Sequence, residues 1–197
     1  MVRKVVKMYN PGSFIGIMIT GGIVMAMLAI PSESQGTDKM YPRTESGVIE
    51  IKTIPASRIM LTEADGSYFD ENGKLFGRLF DYIKGHNIPM TAPVEGSLDD
   101  DARMIFYVGP QVEDEGLDDE GEVRVLRLPE RKVAAIGARG SYKEANVRKH
   151  QEKLEAWLAE RPEYEVVGPA YSVFWNAPFI PWFLRHLEVH VPVRMIE

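Results

Sequence analysis

Four histidines, one carboxylate set among apolar residues and an aromatic run near the C-terminal end are the side chains of this chain with the widest chemical reach. His86 follows Lys84-Gly85 at the predicted end of a helix, where it either complements the helix dipole or offers an imidazole to a bound group. His150 shares a predicted helix face with Val147, Leu154 and Trp157. If that face turns to a cleft, His150 is a ligand; if it turns to the sheet, it is a core or boundary residue. His186 and His190 project to one side of a strand, but at a spacing of ~13 Å they cannot share one ion, and each reads as a surface residue. Met90 and Met104 carry thioether sulfur within apolar strand-like runs, where methionine usually packs.

Glu188 lies in Leu187-Glu188-Val189, and burial there would raise its pKa and suit it to general acid or base work. No nucleophile accompanies it: Gly-x-Ser-x-Gly, His-Glu-x-x-His and a phosphate-cradling glycine loop are all absent from the sequence. Trp175, Phe179, Trp182 and Phe183 form the densest aromatic cluster, and Pro178 and Pro181 break regular structure within it. Such a loop presents aromatics to the core, to a flat ligand or to a membrane, with Arg185 at hand for an acidic group.

These residues must be positioned by a chain that repeats itself. Ala64-Asp65-Gly66-Ser67-Tyr68 recurs as Ala138-Arg139-Gly140-Ser141-Tyr142. Each copy follows a strand-like run and precedes a helix-like run and two further strand-like runs, which indicates an internal duplication. Strands are expected over 48–54, 57–62, 88–94 and 104–108, then over 122–128, 132–138, 165–175 and 187–193. Amphipathic helices are expected over 70–85 and 143–160. Two copies are too few for a solenoid. The simplest product is one compact domain with a pseudo-twofold axis, each half combining strands with one helix. A cleft between the halves is the natural pocket.

At 197 residues the chain suits one domain and a tail. Arg3, Lys4 and Lys7 precede the uncharged apolar run 14–30. Residues 1–36 thus read as a hydrophobic helix serving as signal peptide or membrane anchor, residues 37–47 as a linker and residues 48–197 as the folded domain. An exported location, periplasmic or extracellular, follows from that reading. The net charge of −6 makes nucleic acid a poor partner. The lack of cysteine removes disulfides, thiolate metal sites and cysteine nucleophiles. The acidic stretch 113–120 does not have EF-hand spacing and reads as a solvated connector.

The segment Tyr82-Ile83-Lys84-Gly85-His86-Asn87-Ile88-Pro89-Met90-Thr91-Ala92-Pro93-Val94 resembles the signature of the SOUL haem-binding protein family. In that family a helix ending Tyr-Ile-x-Gly-x-Asn leads into a strand with Met-Thr-Ala-Pro-Val. Trp175-Asn176-Ala177-Pro178-Phe179 and the closing Arg185-His186-Leu187-Glu188-Val189 are similar to a second family motif. The stretch between Asn87 and Met90 is shorter than in typical eukaryotic members, which puts any ligand contact from that loop in doubt. The resemblance implies an α+β fold in which duplicated β-α-β-β units form one curved antiparallel sheet or distorted barrel with two helices, shared with gyrase-inhibitor-like effector-binding domains and in agreement with the repeat. It implies binding of haem or a related hydrophobic planar ligand in a mostly apolar groove, for buffering or transport. The candidate contacts are then His86, Met90, His150, Trp175, Phe179, Arg185 and Glu188, with His150 or His86 as an iron ligand. Two alternatives stand beside it: a small-molecule hydrolase or effector-binding module organised by Glu188, and a membrane-tethered interaction module with Trp182 and Phe183 as contacts.

Overall fold

In the repeated motif both glycines adopt backbone angles that side chains disfavour, φ +100° at Gly66 and +132° at Gly140, so each copy turns sharply from strand into helix. Ser67 then caps the first helix, its hydroxyl accepting from the Phe69 N–H at 3.2 Å. The second copy has no such cap; there Asn146 Nδ2 donates to the Ser141 carbonyl at 2.8 Å.

The computed structural model describes residues 40–112 and 117–196. Its elements are β1 (Ile49–Ile54), β2 (Ser57–Asp65), α1 (Tyr68–Gly85), β3 (Val94–Ser97), β4 (Asp101–Tyr107), β5 (Val123–Leu128), β6 (Arg131–Arg139), α2 (Glu144–Ala159), β7 (Tyr164–Val166), β8 (Tyr171–Phe174), a 3₁₀ turn (Trp182–Leu184) and β9 (His186–Met195). The expected α+β fold is what forms, two helices on one nine-stranded antiparallel sheet. The sheet stays open. Its order, β1-β6-β9-β8-β3-β4-β2-β5, reads symmetrically about the β3–β8 pair, and β7 adds to β9. Each half lends its leading strand to the other: β1 pairs with β6, and β5 pairs with β2.

Strand alternation divides the sheet into two faces. One packs on the helices through Met60, Phe106, Ile136, Leu187, Val189 and the helical Leu75, Leu79, Val147 and Leu154. Tyr68 stacks on Phe174 at the junction of the halves, with ring centroids 5.8 Å apart, and Tyr142 lies 4.6 Å from the same ring. The other face, free of helices, buries Ile54, Ile59, Tyr107, Val133, Val173 and Trp175.

Three local expectations are corrected. Residues 88–93 are not strand; β3 begins at Val94, because Pro89 and Pro93 have no N–H to give a ladder. The expected strand over 165–175 splits into β7 and β8 around Gly168-Pro169. Segment 40–46, linker-like in composition, packs on the helix-free face with Tyr41 and Thr44 buried. The apolar run 14–30 lies outside the described residues, and no helix among the described residues is long and apolar enough to cross a membrane.

Candidate functional site

Odd-numbered residues of β2, β4, β6 and β8 point to the helix-free face, and pairing of Ala135 with His190 and Gly137 with Glu188 puts the even-numbered residues of β9 on that side with them. His186, Glu188 and His190 share that side while Leu187, Val189 and Val191 join the helix-side core. The reading of His186 and His190 as surface residues is thus overturned: both are buried, His190 completely. Partners within the fold, rather than solvent, meet their ring nitrogens. His190 Nε2 donates to Glu188 Oε2 at 2.7 Å, and Tyr171 Oη donates to His190 Nδ1 at 3.1 Å. His186 Nε2 donates to the Thr44 carbonyl at 2.8 Å.

Glu188 is fully buried and accepts from four donors. Thr44 N (2.9 Å) and Trp175 Nε1 (2.7 Å) meet Oε1, while Lys52 Nζ (2.6 Å) and His190 meet Oε2. Burial by itself raises a carboxyl pKa, as the sequence suggested, but the His190 hydrogen bond and then Lys52 outweigh it and bring Glu188 down to about 2. Glu188 is an ionised acceptor at neutral pH, not a general acid. Burial, and for His186 the nearby Arg43 charge, lower the pKa of both histidines, so they are held neutral.

A second carboxylate, Glu95 of β3, lies on the same face. Tyr41 Oη donates to its Oε1 at 3.3 Å, Arg131 Nη2 at 2.7 Å, and Tyr107 Oη donates as well. Burial, and next the Glu95 charge, push the phenols of Tyr41, Tyr107 and Tyr171 upward, which keeps them as hydrogen-bond donors. The Tyr41 ring stands edge-on to Tyr107 (5.8 Å) and Trp175 (5.4 Å), with Lys52 Nζ 5.2 Å from its centroid. Residues 40–46 are therefore a strap that fills the middle of this face with one tyrosine.

Open space lies elsewhere. A groove of about 650 Å³ runs between α2 and the β7–β8 turn, with walls from Leu98, Leu158, Val166, Pro169, Ala170 and Val191. Asp99, Gln151, Glu155 and Tyr164 supply its polar atoms. Asp99 is paired with Arg103, and Glu155 accepts from Gln151 Nε2 at 2.8 Å. Arg148 does not line the groove but bonds to two residues that do, its Nη1 donating to the Leu98 carbonyl at 2.8 Å and to Gln151 Oε1 at 3.1 Å.

Of the residues singled out from the sequence, the structure brings Trp175 and His190 onto Glu188, places His186 on the same face, and leaves the other candidate ligand contacts apart from them. His86 closes α1, stacks on Tyr82 (4.2 Å) and faces Glu120 at 3.4 Å. Met90 is on the exposed loop before β3. His150 Nδ1 donates to the Asn146 carbonyl of its own helix at 2.7 Å. At ~100° per residue it is turned about that angle away from the groove residue Gln151. Phe179 projects into solvent. Arg185 donates from Nε to the Ile180 carbonyl at 2.6 Å and from Nη2 to the Pro178 carbonyl.

Sequence reasoning missed Tyr41, Lys52, Glu95, Arg131, Tyr107 and Tyr171. For Glu95 a signal existed, a lone acid in the apolar stretch Ala92-Pro93-Val94-Glu95-Gly96 that matches Glu188 in type. Among the described residues no group of three or more histidines and acids is placed to hold a metal ion.

Comparison with known proteins agrees with this architecture. No curated protein sequence matches the chain. The C-terminal domain of EcmrR aligns with TM-score 0.63 at 15% identity, covering 76% of this chain and 98% of that one. EcmrR in a DNA complex aligns with TM-score 0.62 at 13% identity over 76% of this chain, which spans only 58% of that protein's length. A hydrolase from Listeria innocua aligns with TM-score 0.55 at 14% identity, covering 77% and 94% of the two chains. Identities this low establish the shared fold alone. The sequence itself carries more: the family described as SOUL heme-binding protein matches residues 39–192, most of the chain. The motif around Met90 to Val94, the duplicated sheet and this match converge, and the chain belongs to the SOUL haem-binding protein family.

Proposed function

We propose that this protein binds haem, or another flat hydrophobic molecule, in the groove between α2 and the β7–β8 turn, and serves to hold or deliver it. The observation that carries this reading is the groove itself. Its volume of about 650 Å³ falls within the usual range of small-molecule sites, and apolar side chains form its walls. Family membership names the ligand class. The residues suit a tetrapyrrole in part: Leu98, Leu158, Pro169 and Val191 would meet its apolar face, while no cation among the described residues lines the groove, and Arg148, bonded to Leu98 and Gln151 of its wall, would have to turn toward a propionate. Neither His86 nor His150 reaches the groove, and Tyr164 is the one side chain lining it of a type that binds haem iron. When bound, haem would supply iron-centred ligand chemistry; the protein's part is to exclude water and orient the macrocycle.

A Soret titration of the full chain and of Ala170→Trp tests this. Saturable one-to-one binding is expected, about tenfold weaker (~1.4 kcal/mol) in the variant, whose indole fills part of the groove. His86→Ala and His150→Ala are expected to bind as the parent does. Equal affinity in Ala170→Trp, with an unchanged circular dichroism spectrum, would remove the groove from the account.

A second reading rests on the hydrogen-bonded series Tyr171–His190–Glu188 beneath the strap. A carboxylate, a neutral histidine and a hydroxyl in sequence are the parts of a proton relay in which Glu188 would orient His190 as the base. In this reading the helix-free face is an effector-binding or hydrolytic site, entered when residues 40–46 lift away.

A further inference from the structure

Loop 176–185, between β8 and β9, leaves Phe179, Trp182, Phe183 and Leu184 exposed by 84%, 62%, 57% and 51%. Single exposed apolar residues are ordinary, but four large ones on one short loop are not. Nor is the loop loosely held. At its neck the Trp175 N–H donates to the His186 carbonyl at 3.2 Å, and the His186 N–H donates to Asn176 Oδ1 at 2.7 Å. Inside it, Arg185 reaches the Pro178 and Ile180 carbonyls, and Arg139 Nη1 reaches the Leu184 carbonyl at 3.4 Å. Backbone N–H groups of Ile180, Leu184 and Arg185 satisfy the carbonyls of Ala177, Pro181 and Trp182. Pro178 and Pro181 have no N–H to satisfy.

The loop thus spends its polar groups inward and shows apolar side chains outward. A water-exposed turn has no need of this, since water would serve its carbonyls. Within a bilayer each unpaired backbone group costs free energy, and the arrangement removes most of that cost in advance. Tryptophan and phenylalanine are the side chains that settle at the boundary of headgroups and acyl chains. Arg139 and Arg185 stand at the base of the tip, where anionic headgroups would lie, although the whole chain is negative. The strap joins the sheet at the same place, through Thr44 and His186. The apolar run 14–30, ten residues before Met40, is by composition a second candidate for the same bilayer.

We infer that loop 176–185 is a membrane-docking element whose Phe179, Trp182, Phe183 and Leu184 side chains enter the interfacial layer of a bilayer containing anionic lipid.

The absence of cysteine allows a single label. Full-length Phe179→Cys, carrying a polarity-sensitive fluorophore, is reconstituted into phosphatidylcholine vesicles with and without phosphatidylglycerol, using spin-labelled lipids as depth quenchers. Glu152→Cys, on the exposed side of α2, is the reference position. The expected result is a blue shift and several-fold stronger quenching at 179 than at 152, greater with the anionic lipid. Adding Trp182→Ser and Phe183→Ser to the labelled Phe179→Cys chain should return the signal to that of water. A label at 179 that stays as wet as the label at 152 would overturn the inference. So would a label already shielded without vesicles, which would make the loop a protein-contact surface.

Discussion

Replacing Glu188 by alanine is expected to destabilise the protein by about 3–5 kcal/mol, the usual consequence of removing one partner from a buried ionic group. Four donors, Thr44 N–H, Lys52 Nζ, Trp175 Nε1 and His190 Nε2, would be left without their acceptor, and Lys52 would become an uncompensated partly buried charge. A depression of the Glu188 pKa from 4.5 to about 2 corresponds to stabilisation on the order of 3 kcal/mol at neutral pH. Its sign fixes a pH signature. The contribution is complete above the unfolded-state value of 4.5 and is lost as pH falls toward 2. His186 and His190 act over an earlier window: both are neutral when folded, so the unfolded chain binds protons first as pH drops below 6.5. Urea unfolding at several pH values should therefore show stability declining from about pH 6.5 downward and steepening below 4.5, with the steep limb missing in Glu188→Ala. A flat profile between pH 7 and 3 would mean that these groups do not bear on folding.

The second large effect is expected at Gly137. A Cβ there would lie 2.4 Å from the Thr44 carbonyl oxygen and 2.3 Å from that of Glu45, both backbone atoms. The strand cannot yield, because β6 is paired on both sides by β1 and β9. Gly137→Ala should instead push out the strap, which is anchored at its end where the adjoining Gly47 N–H donates to the Gly137 carbonyl at 2.8 Å. Tyr41 then leaves its position against Trp175 and Tyr107, and water gains access to Glu95 and Glu188. Trypsin cutting at Arg43 reports this directly, and cleavage at least about tenfold faster is expected, equivalent to a local opening made ~1.4 kcal/mol easier. Unchanged protection at Arg43 would show that the strap is not held by its approach to Gly137.

The duplication was legible because a glycine turn and a helix-entry tyrosine are needed at the same place in both halves, and a five-residue match survives there. The helices were legible from their apolar spacing, and most strands from alternation. Hidden from the sequence was the exchange of β1 and β5 between halves, since pairing across the molecule leaves no local mark. The polar face was hidden for the same reason. Glu95, Arg131, Tyr107 and Tyr171 come from four strands and are unremarkable in their own segments. Tyr41 was read as linker because Pro42-Arg43-Thr44 has no periodicity; the strap is held by single contacts to the sheet, not by a regular element. The burial of His186 and His190 was not legible because a polar residue on a strand ordinarily faces solvent, whereas here the partners of their ring nitrogens come from the strap, from β8 and from Glu188 of β9 itself.

Whether the ligand sits in the groove or beneath the strap is settled most directly by amide hydrogen exchange of the full chain, with and without haem. Binding in the groove should slow exchange in residues 151–159 and 164–170 and leave residues 40–46 unchanged. Faster or otherwise altered exchange of residues 40–46, with α2 and the β7–β8 turn unaffected, would contradict it and place the ligand at Glu188 and Glu95.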